Sequence, residues 1–270
     1  TFSASFSCPS IDAARVSWTL DGAPCEGARV RTRYDQLAKD ASIAVLERAC
    51  RLTPEKEVVA EAMYGDLWCE PDATKLDLLN PFGLVRSFVE VGPCLFEFFH
   101  DPPDLFELLG STEKFLGIRR RRANGKPPEP DPWLWVISAG RPSSAMQALG
   151  FQPAPGWPAG VHALADGWRT RLVVVSELPA APATLVVRVF GAGRVLRTAL
   201  EELRALPEGS AVRRAVLPVV VRLRMLVAKA PERKPDDEEF LMDTQNMVEA
   251  WERETYDRGL AEGIEKGIEK

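Results

Sequence analysis

The strongest constraint on how this chain can fold is a run with almost no polar relief, Pro93-Cys-Leu-Phe-Glu-Phe-Phe99. A strand with one face in water alternates apolar and polar residues, whereas a strand covered on both faces does not. The run therefore predicts a strand inside a layered structure, with a single charge, Glu97, embedded in it. Trp133-Leu-Trp-Val-Ile137, Arg171-Leu-Val-Val-Val175 and Thr184-Leu-Val-Val-Arg-Val-Phe190 read as further strands of the same sheet. Between the first two, Leu105, Leu108, Leu109, Phe115, Leu116 and Ile118 recur at helical spacing, with Asp104 as N-cap candidate and Arg119–Arg122 at the far end. Upstream, Leu37, Ala41, Val45 and Cys50 put one apolar face on a helix over 34–51. Two strands at 57–63 and 66–70 then read as a hairpin around Gly65, closed by Pro71-Asp72. Helices over 194–206 and 211–229 follow, the second with a kink or break expected at Pro218. Interleaved helices and strands make this an α/β chain.

At 270 residues the chain can bury a sizeable core. Its net charge of −5, from 39 acidic and 34 basic residues, at first argues against a nucleic-acid partner. The charge is unevenly placed. Residues 229–270 hold 13 acids and 7 bases, while 119–228 hold 16 bases and 7 acids, so the middle of the chain is basic. The acidic tail, 231–270, reads as a long exposed helix. It ends in Gly259-Leu-Ala-Glu-Gly263-Ile-Glu-Lys-Gly267-Ile-Glu-Lys270, whose glycines each cost about 1 kcal/mol in an isolated helix. A homo-oligomer formed through 236–270 would offset that cost. Residues 1–33 show no sustained period and are expected to be a poorly ordered extension. Five cysteines with no CxxC pair argue against a disulfide framework or structural zinc, and no run is long enough for a membrane helix. A cytoplasmic protein is the expectation.

Asp66 and Glu97 are charges within apolar strand-like runs, and burying such a charge costs several kcal/mol unless it is paired, protonated or metal-bound. Two carboxylates on neighbouring strands can converge on Mg²⁺ or Mn²⁺, with Glu47 or Glu57 as a third. The bland readings are a turn cap for Asp66 and a strand-edge position for Glu97. Arg119, Arg120, Arg121 and Arg122 either complement the helix macrodipole or contact phosphates. His100 and His162 stand 62 residues apart, and no GxSxG elbow, P-loop or GxGxxG fingerprint occurs.

In their order, Tyr34-Asp-Gln-Leu-Ala-Lys, Gly65-Asp-Leu-Trp-Cys-Glu-Pro-Asp72, Cys94-Leu-Phe-Glu-Phe98, Ser138-Ala-Gly-Arg-Pro142, Ser176-Glu-Leu-Pro179 and the terminal Gly-Ile-Glu-Lys units form a pattern. The pattern resembles the PD-(D/E)XK restriction-endonuclease-like superfamily, and within it the recombination-promoting nuclease/transposase-like branch. The resemblance covers 34–228 and the tail. It implies an αβββαβ core, a mixed sheet flanked by helices, over 34–230 with a C-terminal helical extension. It also implies a Mg²⁺-dependent (Mn²⁺ possible) DNA endonuclease. Asp66 then matches the metal-binding Asp, with Asp72 as its competitor, and Glu97 matches the acid of E-X-K. The lysine of that motif is Phe99 here. Some members carry the lysine on the following helix, where this chain has Lys114. The alternative implied is a catalytically inactive member of the fold, binding DNA or protein.

Overall fold

The computed structural model describes residues 18–20, 23–25, 33–53, 67–123 and 130–228, with 238, 240–242, 244–245, 249 and 253. The chain divides into two compact units, 1–32 and 33–270. In the first, β1 (Trp18–Leu20) pairs antiparallel with β2 (Ala23–Cys25).

The second unit runs α1 (Arg33–Leu46), β3 (Cys50–Thr53), β4 (Leu67–Pro71), α2 (Leu84–Glu90), β5 (Cys94–Phe99), α3 (Leu105–Ala123) and β6 (Trp133–Ser138). It continues through α4 (Ser143–Leu149), β7 (Gln152–Pro153), β8 (Val161–Ala163), β9 (Thr170–Val174), α5 (Leu185–Arg188), α6 (Gly193–Ala205) and α7 (Ala211–Ala228). Seven strands form one mixed sheet in the order β3-β4-β5-β6-β9-β8-β7. β3, β4 and β5 are an antiparallel meander, β5, β6 and β9 are parallel, and β8 and β7 close the far side antiparallel. The result is an α/β fold with a central mixed sheet between helical layers.

The run that opened the argument lies where its composition requires. All six residues of β5 are buried, and alternate ones belong to different cores. Cys94, Phe96 and Phe98 join the layer that holds α1, α2 and α5–α7, and Leu95 and Phe99 join the layer under α3 and α4. In the first layer the Trp135 indole donates to the Phe88 carbonyl at 3.1 Å, which satisfies its one polar atom. No helix among the described residues is long and apolar enough to cross a membrane.

Several local expectations are corrected. The first helix ends at Leu46, and Cys50 begins β3 instead of completing that helix. The strand expected at 57–63 lies outside the described residues. The stretch 75–90 folds as a 3-10 segment (Leu76–Phe82) followed by α2. The run 184–190 is not a strand: Pro182–Thr184 is a 3-10 turn leading into α5. A short, wholly buried apolar run has no periodicity to separate strand from helix, and α5 is buried throughout. Its charge is held rather than exposed. Arg188, 2% exposed, donates from Nη1 to Glu202 of α6 at 2.8 Å and from Nε to Thr184 at 3.2 Å. Pro218 is accommodated within one helix, α7, which it does not break. The described positions of the expected tail helix, 238 to 253, are helical.

Candidate active site

The site is set by how α3 begins. Asp104 Oδ1 accepts from the Glu107 backbone N–H at 2.8 Å, and Glu107 Oε2 accepts from the Asp104 N–H at 2.9 Å. This reciprocal capping satisfies two otherwise orphaned donors and fixes the helix phase. With that phase, Leu108, Ser111, Thr112, Phe115 and Ile118 meet the sheet. The Ser111 and Thr112 hydroxyls donate to carbonyls one turn back, at 3.1 and 2.8 Å, so neither leaves a buried polar group unmet. Lys114 falls on the flank of that face.

Glu97 shares the face of Leu95 and Phe99, the one that α3 covers. It is 2% exposed, and Lys114 Nζ donates to its Oε1 at 2.9 Å. The Lys114 side chain is 24% exposed, so it lies partly in solvent while its partner does not. An acid in the middle of an inner strand is thus met by a lysine from the next helix. Phe99, two residues after Glu97, is 4% exposed and packs with Leu108 and Phe115 in the α3 core.

The other sequence candidates divide. Asp66 lies outside the described residues, as does Glu57. Asp72 occupies the turn after β4. Its Oδ1 accepts from the Thr74 N–H at 3.0 Å and hydroxyl at 2.6 Å, and Lys75 lies 3.0 Å from Oδ2. The Thr74 and Lys75 hydrogen bonds hold its carboxyl down at about 2. Asp72 is a turn residue. Glu47 follows α1, in the helical layer on the opposite side of the sheet from Lys114, so it does not complete a site around Glu97. Among the described residues no group of three or more His, Cys, Asp or Glu is arranged to hold a metal ion.

The four arginines at the end of α3 do different things. Arg119 makes a two-pronged pair with Asp131, Nε to Oδ1 at 2.7 Å and Nη2 to Oδ2 at 2.6 Å, and donates to the Gly167 carbonyl at 2.7 Å. Arg169 adds a third bond to Asp131 at 3.1 Å. Burial pushes the Asp131 carboxyl up, but the two guanidiniums outweigh it and the net direction is down. Arg122 reaches β4, where it donates to Glu70 Oε1 at 2.7 Å and lies 4.7 Å over the Trp68 ring. Arg120 and Arg121 are exposed.

Two constellations join residues that the sequence shows only separately. At the carboxyl ends of the parallel strands, His162 Nε2 lies 2.9 Å from Glu177 Oε2, and Arg141 bonds the other oxygen. These residues come from three separate segments, so no local spacing joins them. The second is a row of cysteines, Cys50, Cys69 and Cys94, on three adjacent strands. Compared with known proteins, the chain matches no family model, no curated protein and no solved structure.

Proposed function

We propose that the chain is a Mg²⁺-dependent DNA endonuclease of the PD-(D/E)XK type, transposase-like, with Glu97 and Asp66 as metal ligands and Lys114 as the migrated lysine. The observation that carries this reading is the buried Glu97–Lys114 pair at 2.9 Å. Its place in the chain supports it too. α1, β3, β4, β5, α3 and β6 follow one another along the chain, with the 3-10 segment and α2 inserted between β4 and β5, and their strands form an antiparallel meander and then a parallel pair. The register sets Leu67 opposite Phe96 and Trp68 opposite Leu95 on the two neighbouring strands, and Asp66 is the residue before Leu67 in the sequence.

Carboxylate oxygens are hard donors and fit Mg²⁺ or Mn²⁺. Bound there, the metal would supply Lewis acidity at the scissile phosphate and lower the pKa of the attacking water. Glu97 would hold it from one side, in a site drained of competing water by Leu95 and Phe99. Lys114, anchored on a capped helix, would orient the water and offset the negative charge that builds on the phosphoryl oxygens. Arg120 and Arg121 would meet phosphates further along the duplex.

The test is nicking of supercoiled plasmid DNA with Mg²⁺ or Mn²⁺ by the wild type, Asp66→Ala, Glu97→Gln and Lys114→Met. The wild type is expected to nick, and each variant to lose about 100-fold or more of the rate. Equal cleavage by wild type and variants would refute the assignment. No cleavage with any divalent metal would leave the second reading: an inactive member of the fold that binds DNA or protein and oligomerises through 236–270. The observation favouring that reading is Phe99, which makes the motif's lysine position part of the apolar core.

A further inference from the structure

Cys50 on edge strand β3, Cys69 on β4 and Cys94 on β5 all face the α1 layer, in one row across the sheet. Cys69 and Cys94 are direct register partners. Leu52 is the partner of Cys69 on the other side, which makes Cys50 its diagonal neighbour. Cys69 and Cys94 are 0% exposed, while Cys50 is half-buried, so the row reaches solvent only at the sheet edge. Neither the Glu97–Lys114 pair nor the arginine pairs use any of these sulfurs, and they lie on the other face of the sheet.

A single metal ion does not suit the row. Strands two apart are separated by about 9.6 Å, whereas two thiolates on one zinc-like ion are at most about 4.6 Å apart. Pairwise chemistry does suit it. Directly opposed residues of an antiparallel pair have Cα atoms about 4.5–5.5 Å apart, inside the roughly 4.4–6.8 Å span of a disulfide. We infer that Cys69 and Cys94 are a latent disulfide pair, loaded through Cys50 by hydroperoxides.

The chemistry runs along the row. The Cys50 sulfur attacks the peroxide O–O bond, forming a sulfenic acid and releasing water or an alcohol. The Cys69 sulfur then attacks that sulfur; its proton leaves with the hydroxyl as water, and a Cys50–Cys69 disulfide forms as edge strand β3 shifts, because diagonal neighbours start about 7–8 Å apart, just beyond the span of an unstrained disulfide. The Cys94 sulfur attacks Cys69 in turn, giving a Cys69–Cys94 disulfide and returning a proton to Cys50 as it leaves. The peroxide is reduced by two electrons and the Cys69–Cys94 pair is oxidised by two. The hydrogen bond to Cys69 and burial hold the Cys50 thiol protonated well above the ordinary thiol range. Loading is therefore slow.

The test uses the full chain and hydrogen peroxide. After a time course, free thiols are alkylated in denaturant and the digested peptides are mapped by mass. The wild type is expected to give a Cys69–Cys94 peptide pair. Cys94→Ala should stop at Cys50–Cys69, and Cys50→Ala should form Cys69–Cys94 at least about tenfold more slowly. Oxidation of Cys50 to a sulfinate with no disulfide would overturn the inference, as would cross-links to Cys8 or Cys25. So would a Cys69–Cys94 pair that forms in Cys50→Ala at the wild-type rate. The wild-type map and the edge variant decide the matter even if Cys94→Ala fails to fold.

Discussion

Glu97 and Lys114 are not equal partners, and the difference predicts an asymmetry. The carboxylate is 3% exposed and the lysine side chain 24%, so the lysine can turn outward when unpaired but the acid cannot. Removing Lys114 leaves a buried charge short of its counterion, which costs about 3 kcal/mol. Glu97→Gln keeps the shape and an acceptor for the ammonium, and should cost about 1 kcal/mol. Urea unfolding of Lys114→Met, Glu97→Gln and the double variant checks this. The double variant should recover much of the Lys114→Met loss; a double variant as unstable as the sum of the singles would mean the pair is not coupled. Mg²⁺ that binds at Glu97 should raise the melting temperature of Lys114→Met and leave that of the double variant unchanged. At this scale the acid was legible in the sequence, because one charge within a seven-residue apolar run has to be accounted for. The lysine was not legible from spacing. Seventeen residues separate it from Glu97, and only the capping at Asp104 fixes which side of α3 it occupies.

At the scale of elements, the end of α3 is two devices in one run of four arginines. Arg119 and Asp131 clamp the helix to the segment before β6 and, through Arg169, to the start of β9. Asp131→Asn should cost about 2 kcal/mol, the range of hydrogen bonds to charged groups. Because the folded-state carboxyl is held below its ordinary value, this contribution is fully present above the unfolded pKa of about 4 and is lost as the pH falls through the folded one. The urea midpoints of wild type and variant should therefore stay apart from neutral pH to about pH 5, then converge in acid. Arg120 and Arg121, by contrast, are exposed and are the two that the proposed phosphate role would draw on. Replacing both by Ala should leave stability unchanged and lower the salt slope of duplex DNA binding by about 1.8, roughly 0.9 for each phosphate contact. An unchanged slope would remove them from the interface. Four adjacent arginines look alike in sequence; what separates them is that helical rotation carries Arg119 and Arg122 to acids on other elements, Asp131 and Glu70. The same limit explains α5, where Leu185-Val-Val-Arg188 has strand composition but follows Pro182 and closes over the sheet as a helical turn.

For the whole molecule, the division of charge between a basic middle and an acidic tail becomes a question of where the tail attaches. Part of it belongs to the fold. Phe240 is 2% exposed and Thr244 0%. Arg224 of α7 donates to the Thr244 hydroxyl at 2.8 Å and to the Leu241 carbonyl, and the Thr244 hydroxyl donates to the Phe240 carbonyl at 2.6 Å. Phe240, Leu241 and Thr244 therefore act as a clasp on α7, a role that a tail read only as acidic and helical does not reveal. The sequence shows the charge excess and the glycine spacing because both are local. The clasp depends on Arg224 and Thr244, twenty residues apart, finding one another in three dimensions. Two truncations separate clasp from arm. Removing 247–270 should leave the melting temperature unchanged, and any fall in the number of protomers per particle by light scattering would assign self-association to the glycine-spaced end. Removing 236–270 also exposes the surface under Phe240 and takes from Arg224 its bonds to Leu241 and Thr244, a loss of about 3 kcal/mol or roughly 6–12 °C for a unit of this size. If the shorter truncation destabilised the fold as much as the longer one, the clasp would have to extend beyond Thr244. If neither truncation changed the number of protomers per particle, 236–270 would not be an oligomerisation arm.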